Sequence, residues 1–408
     1  MRRRILHLVV LFLALAVLAP KAQERQPILL LVSLDGWRWD YIQRFTVPNL
    51  RALAARGVRA EGLIPSFPSK TFPNHYTIVT GLYPAHHGIV SNNMVDRDFP
   101  DRFTMTAETA RNARWWGGEP LWVTAIRQGL RSSTMFWPGS EAAIQGVRPS
   151  EWKPFDDKVA NGDRLKQVLD WLALPADQRP SFISLYFSEV DHAGHDFGPD
   201  SPQLLEAARH LDDALGQLVS GIEMLGLLDQ VTLVVVSDHG MSQLSDRRVI
   251  FLDDYLDLAT VDIVEWTPVV ELTPKTGSAE DLYRALRGKH PSLAVYRRDQ
   301  VPRHLHYRNN PRIPPIIGIA DDGWTITSHK RLADDVAKNR KHGGDHGYDP
   351  ELKSMHGLFV AAGPHLRRNT VVPPFENIHI YEFLCSVLGL TPAKNDGDPK
   401  VTRKFFEN

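Results

Sequence analysis

The sequence predicts an α/β fold with a parallel sheet enclosed by helices, and two observations carry that expectation. The stretches "PILLLVSLDGW", "SFISLYFSEVD" and "QVTLVVVSDHG" are near-continuous β-rich apolar runs, and each closes on an acidic residue. Strands covered on both faces read this way, because neither side of them meets water. Between the second and third runs, "PQLLEAARHLDDALGQLVSGIEML" sets Leu204, Ala208, Leu211, Leu215, Leu218 and Ile222 at helical spacing, the pattern of a helix laid on a sheet. With 408 residues, 43% of them hydrophobic, the chain is long and apolar enough to bury a large core.

The first residues, with a signal read over 1–22, belong to a different class of segment. "MRRRILHLVVLFLALAVLAPKAQ" joins a cationic start to an apolar run from Ile5 to Ala19, interrupted only by His7. That run is short for a membrane span and gives way to small residues, so it reads as an exported chain's signal peptide, with an uncleaved anchor as the alternative. The cut falls somewhere around Ala19 to Ala22, where Pro20 spoils both A-x-A-like choices, and no membrane span is expected after it. Cys385 is the only cysteine, so no intramolecular disulfide forms despite export. With no N-x-S/T sequon either, the chain suits a bacterial periplasm or secretion better than a eukaryotic cell surface. Cys385 itself sits in the helical pattern "YEFLCSVLGL" and reads as inert core.

Residues 23–408 read as one catalytic domain. From about Met241 to His342 the texture changes to short strands, "VDIVEWTPVVEL" and "DGWTITSHKR", joined by proline-rich connections. This is a small β-containing elaboration, since the motif-bearing chain resumes directly after it. "LFVAAGP" predicts a further strand. Asp212 and Asp213 read as the solvated face of their helix. A net charge of −1 gives no global attraction to nucleic acid or an anionic membrane.

Ligands of open α/β sheets collect beyond the carboxyl ends of the strands, and there the sequence repeats itself. Asp35 follows "ILLLVSL", Asp191 and His195 follow "SFISLYF", Asp238 and His239 follow "VTLVVVS", and His346 lies in "GGDHGYDP". One such aspartate is more often a cap or turn former. Three carboxylates with three imidazoles and no thiolate suit a catalytic zinc site. Two divalent cations would leave one positive charge after the three aspartates, and the alkoxide of Thr71, in "PSKTFPNHYTIVTGL", would balance it. The magnitudes agree: zinc lowers the pKa of bound water by roughly nine units, worth ~12 kcal/mol, whereas a histidine base contributes about 3–5 kcal/mol. An activated threonine therefore needs no triad, and no G-x-S-x-G elbow competes with it. The plainer role for Thr71 is as N-cap of the helix that follows.

Six ordered segments, "FPSKTFPNHYTIVTGLYPAHHGIVSNN", "VSLDGW", "FWPGSEA", "EVDHAGHDFGP", "VSDHGM" and "DHGYD", resemble the nucleotide pyrophosphatase/phosphodiesterase family of the alkaline phosphatase superfamily, bacterial type. The resemblance runs from about Ile28 to Leu390. It implies an alkaline-phosphatase-like fold with a mostly parallel central sheet between helical layers, and two Zn²⁺ ions. One would be held by Asp191, His195 and His346, the other by Asp35, Asp238, His239 and the Thr71 oxygen. Thr71 would attack phosphorus in line and form a covalent phosphothreonine, and Asn92 with the Phe72 backbone N–H would stabilise the non-bridging oxygen. His75, His86, His87, His192 and His356 match no family ligand and read as orienting or packing residues. Lys70 reads as a surface or loop residue first and a phosphate contact second.

Phe72, Phe155 and Tyr186 match positions lining a nucleobase slot in nucleotide-cleaving relatives, where flat rings stack a base with little preference; ordinary core packing is the alternative. The expected activity is release of nucleoside 5′-monophosphates from small nucleotides and nucleotide diesters, without a stable nucleic-acid complex. A phospholipid or choline-ester phosphodiesterase on the same two-metal site is the rival.

Overall fold

The structure, a computed structural model, describes residues 26–99 and 101–407. The signal peptide expected over 1–22 lies outside the described residues. Among those described, no helix is long and apolar enough to cross a membrane.

The three apolar runs become strands β1 (Ile28–Leu34), β2 (Phe182–Phe187) and β3 (Val231–Val236), every residue of them buried. They are the heart of an eight-stranded sheet, with β1 between β3 and β2 and parallel to both. Beyond β2 come two further parallel strands, Ser132–Met135 and Glu151–Lys153. Beyond β3 lies Phe359–Ala362, the "LFVAAGP" run, which pairs antiparallel. The sheet is therefore mixed and mostly parallel, as expected of an alkaline-phosphatase-like chain.

Pleating explains why the runs are apolar without alternation. Leu29, Leu31, Val234 and Val236 point into one core, and Leu30, Val32, Leu233 and Val235 into the other. The first core is closed by helix α1 (Thr71–Thr80) and by Ile380–Leu388, which carries Cys385. Burial raises that thiol to about 12, leaving it inert. Helix α2 (Glu189–Phe197) follows β2 directly. Helix α3 (Pro202–Met224) closes the second core with the apolar stripe read from its spacing, and it starts at Pro202 with Ser201 Oγ accepting from Leu204 N at 3.1 Å.

One expectation on α3 fails. Asp213 is exposed, but Asp212 is buried. Its carboxylate accepts from Leu50 N at 2.7 Å and from Asn49 N and Nδ2 at 3.0 Å each. It caps the helix Pro48–Ala55, whose own N-cap residue, Val47, has no side-chain acceptor. The partner is distant in sequence, so the helical pattern gave no sign of it.

Between residues 241 and 342 the chain forms a four-stranded antiparallel sheet in the order Val261–Glu265, Val269–Pro274, Ile316–Ala320, Leu293–Arg297. It has its own core, which includes Leu272, Leu286, Ile316 and Tyr348.

Candidate active site

The carboxyl ends of β1, β2 and β3 share one edge of the sheet, and the strand-end acids meet there. Asp35 is the residue after β1, and Asp238 and His239 follow β3 by two and three positions. Asp191 and His195 lie one turn apart on α2, which puts them on the same helix face. His346 comes from the turn after Gly344–Asp345, a strand paired to Ser242–Gln243. The backbone leaves β1 through Gly36 at φ 67°, where an added Cβ would sit 2.8 Å from the Asp191 Cα. Glycine is required there by both conformation and space.

Two groups result. Asp191 Oδ1 lies 3.4 Å from His195 Nε2 and 3.6 Å from His346 Nε2, and the two imidazole nitrogens are 3.1 Å apart. Around His239 Nε2 stand Asp238 Oδ2 at 3.0 Å, Asp35 Oδ1 at 3.4 Å and Thr71 Oγ1 at 3.4 Å. Asp191 also comes within reach of Asp35 and His239, and His75 joins Asp35 and Asp238, so the groups overlap instead of dividing into two closed sets. The rings of His239 and His346 stack with centroids 3.4 Å apart, joining the two groups.

The electrostatics ask for cations. His195, His239 and His346 each direct Nδ1 at a backbone carbonyl, that of Gly344, Gly240 and Ser69 respectively. A carbonyl only accepts, so Nδ1 carries the proton and Nε2 of His195 and His346 turns a lone pair inward. For His239, burial opposes the charged form, but the Asp238 carboxylate outweighs it and raises the imidazole above its usual value. Asp35 Oδ1, Asp191 Oδ1 and Asp238 Oδ2 are buried and take no hydrogen bond. Acceptors converging without donors are costly unless a metal binds them. Nitrogen and carboxylate donors with no sulfur fit divalent zinc-type ions. Burial, with Asp238 and Asp191 nearby, holds the Asp35 carboxyl well above its usual range. Burial acts the same way on Asp238, but the His239 and His75 imidazoles outweigh it and hold that carboxyl well below its usual range. His346 is kept neutral by burial and by its two imidazole neighbours.

Thr71 is the first residue of α1, while the N-cap position is Lys70, with no side-chain capping bond. The capping role considered for Thr71 is therefore not seen, and its hydroxyl faces His239. The Phe72 N–H, expected to face substrate beside Asn92, instead donates to Asn92 Oδ1 at 3.0 Å. That bond fixes the amide and leaves Asn92 Nδ2 as its donor. Both residues line a cavity of about 460 Å³ whose floor includes Asp35, Thr71, Asp191, His195 and His346.

The aromatic wall divides by exposure. Phe155 is 49% exposed at the cavity mouth, so it is no core residue. Phe72 leans on Phe103 and Trp116. Tyr186 lines the cavity but commits its hydroxyl to Asp35 Oδ2 at 2.6 Å, making it an orienting residue for a candidate ligand. That bond was not anticipated, whereas His75 takes a position of the orienting kind read for it. The His75 Nδ1 sits 2.9 Å from the Thr71 carbonyl and 3.3 Å from Asp238 Oδ2. Its spacing of four from Thr71 on a helix was the available signal. His356 is buried, as a packing residue would be, with its Nε2 left without a hydrogen-bond partner. His192 is exposed on the cavity wall rather than packed.

Residues 29–349 match the family model described as type I phosphodiesterase/nucleotide pyrophosphatase. The chain belongs to this family. It is 38% identical over 404 residues to a venom phosphodiesterase of Macrovipera lebetinus, covering 96% of this chain and 46% of the relative. It is 37% identical to ectonucleotide pyrophosphatase/phosphodiesterase family member 3 of Bos taurus, covering 91% and 43%. The chain thus spans about half the length of these relatives. A bis(5′-adenosyl)-triphosphatase of Xenopus laevis is 36% identical over 94% of this chain and 82% of its own length. Among solved structures, murine ectonucleotide pyrophosphatase/phosphodiesterase 5, as an inactive threonine-to-alanine variant in complex with AMP, superimposes with a TM-score of 0.88 at 34% identity. It covers 94% of this chain and 100% of its own.

Proposed function

We propose that this chain hydrolyses phosphodiester and pyrophosphate bonds in small nucleotides and releases nucleoside 5′-monophosphates. The observation that carries this reading is the convergence of Thr71 Oγ1 with His239, Asp35 and Asp238 at an aromatic-walled cavity that Thr71 and Asp35 line. Support comes from the relatives, whose names describe nucleotide pyrophosphatases and phosphodiesterases, and from the threonine replaced in the inactive AMP complex.

Two zinc ions are the proposed cofactors, one toward Asp191, His195 and His346, the other toward Asp35, Asp238, His239 and Thr71. When bound, such ions supply Lewis acidity and neutralise charge on the phosphoryl group. Thr71 Oγ1 attacks phosphorus in line, the leaving alcohol or phosphate departs, and water then frees Thr71 from its phosphoryl ester. Asn92 Nδ2 donates to the non-bridging oxygen, held for that task by the Phe72 N–H. Phe155 and Phe72 flank the nucleobase at the cavity mouth.

The same reading takes residues 23–408 as one catalytic domain with an elaboration at about 241–342, exported behind the signal read at 1–22. The relatives named above are animal proteins. The bacterial periplasmic setting rests on the lone Cys385 and the absent sequon alone.

The test compares wild type with Thr71→Ala on nucleotide diesters, choline phosphodiesters and monoesters, with zinc present. Thr71→Ala should lower turnover on the order of 10³-fold or more. Its stability should hold within about 0.5 kcal/mol, since no cap is lost. Nucleotide diesters should be the best substrates. Faster turnover of choline esters would move the assignment to a lipid phosphodiesterase, and an active Thr71→Ala would remove the nucleophile.

A further inference from the structure

Lys70, set aside by sequence as a surface residue, is buried, with only 8% of its side chain exposed. It is not part of the wall around Thr71, Phe72 and Asn92. Its ammonium turns away from the cavity, donating to the Thr267 carbonyl at 2.9 Å and facing Glu265 Oε1 at 3.7 Å. Glu265 ends the strand Val261–Glu265 of the 241–342 segment, and only 12% of its side chain is exposed. Its other oxygen, Oε2, accepts from Asn93 Nδ2 at 3.1 Å and from Ser91 Oγ at 3.3 Å. One carboxylate therefore holds the residue before Thr71 with one oxygen and both neighbours of Asn92 with the other. The Lys70 stem also reaches the ligand turn: a Cβ added at Gly347, next to His346, would lie 3.1 Å from Lys70 Cε.

We propose that Lys70 and Glu265 are positioning residues that fix Thr71 and Asn92 relative to each other, rather than groups that touch phosphate. The proposal rests on the function proposed above and adds a role for the 241–342 segment, which supplies none of the seven candidate ligands named around Thr71. Reactive groups must be held to within fractions of an ångström for in-line attack. Here the nucleophile sits at the start of α1 and the amide donor on a separate loop. The Phe72–Asn92 bond joins those segments on the cavity side, and the Lys70–Glu265 pair joins them from behind. A buried charge pair at the junction resists loop motion because separating it strands two charges.

Lys70→Met and Glu265→Gln keep stem and shape while removing the charges. Each should lower kcat on a nucleotide diester about 10–100-fold with KM changed less than about threefold, and the double variant should fall no further than the worse single. Hydrogen exchange by mass spectrometry should show peptides spanning 66–80 and 88–96 speeding up together. A phosphate contact would instead raise KM with kcat kept. That result, losses that multiply in the double variant, or unchanged kcat would each overturn the proposal. Should Lys70→Met not accumulate as folded protein, Asn93→Ala releases the other arm and is read by the same two measurements. If wild type hydrolyses no diester, the functional reading fails, and the exchange data alone decide whether the two segments are coupled through this pair.

Discussion

Glu271 shows how far one side chain's protonation can be argued from its neighbours. It is fully buried on the strand Val269–Pro274, with Oε2 unpartnered. The Tyr307 hydroxyl lies 2.6 Å from Glu271 Oε1 and 2.9 Å from the Val90 carbonyl. One phenolic proton cannot serve both, so a protonated Glu271 donating to Tyr307, which donates on to Val90, accounts for all three groups. Burial accordingly raises the carboxyl to about 8. The sign follows from linkage: with the folded value above the unfolded one, stability is full below pH 4.5 and is lost as pH rises through 8. Unfolding titrations across that window should show a fall on the order of 3–5 kcal/mol. Glu271→Gln, which can still donate, should flatten it, and an unchanged slope would assign the dependence to other groups.

Helices and strands were legible where periodicity alone decides them. The runs that became β1, β2 and β3 declared themselves by continuous hydrophobicity, and α3 by its stripe. Their spatial order was not legible, because register between segments some 150 residues apart is set by helix packing that no local pattern encodes. The same holds for residues that face another element. Asp212 reads as solvent-facing by its neighbours, yet it serves the N-terminus of Pro48–Ala55. Lys70 likewise reads as loop, yet it answers to a glutamate 195 positions on. The candidate ligands, by contrast, were readable: Asp35, Asp238 and His239 because they follow recognisable strands, Asp191 and His195 because they share one face of a short helix. Asp212→Ala should cost about 2 kcal/mol in denaturant unfolding, since it leaves buried amides unsatisfied, with kcat/KM unchanged in the folded protein. A loss below about 0.5 kcal/mol would mean that water replaces the carboxylate.

At the scale of the whole molecule, the candidate ligands come from segments near residues 35, 71, 191–195, 238–239 and 346, so bound cations would tie early, middle and late chain together. Exhaustive chelation should lower the melting temperature on the order of 5 °C and abolish diester turnover, with zinc restoring both. Calorimetry with and without chelator checks this, and an unmoved transition would mean the donors hold no ion. The cavity adds a separate consequence. Its floor carries Asp35, Thr71, Asp191, His195 and His346, but Met105, Ala107, Ala110, Glu141 and Phe155 around the opening supply no candidate ligand. Tyr186 serves both, through its bond to Asp35, and so does Phe72, through its bond to Asn92. Evolution, or a protein engineer, is therefore free to retune which ester is admitted by editing that border while the machinery beneath it stays as it is.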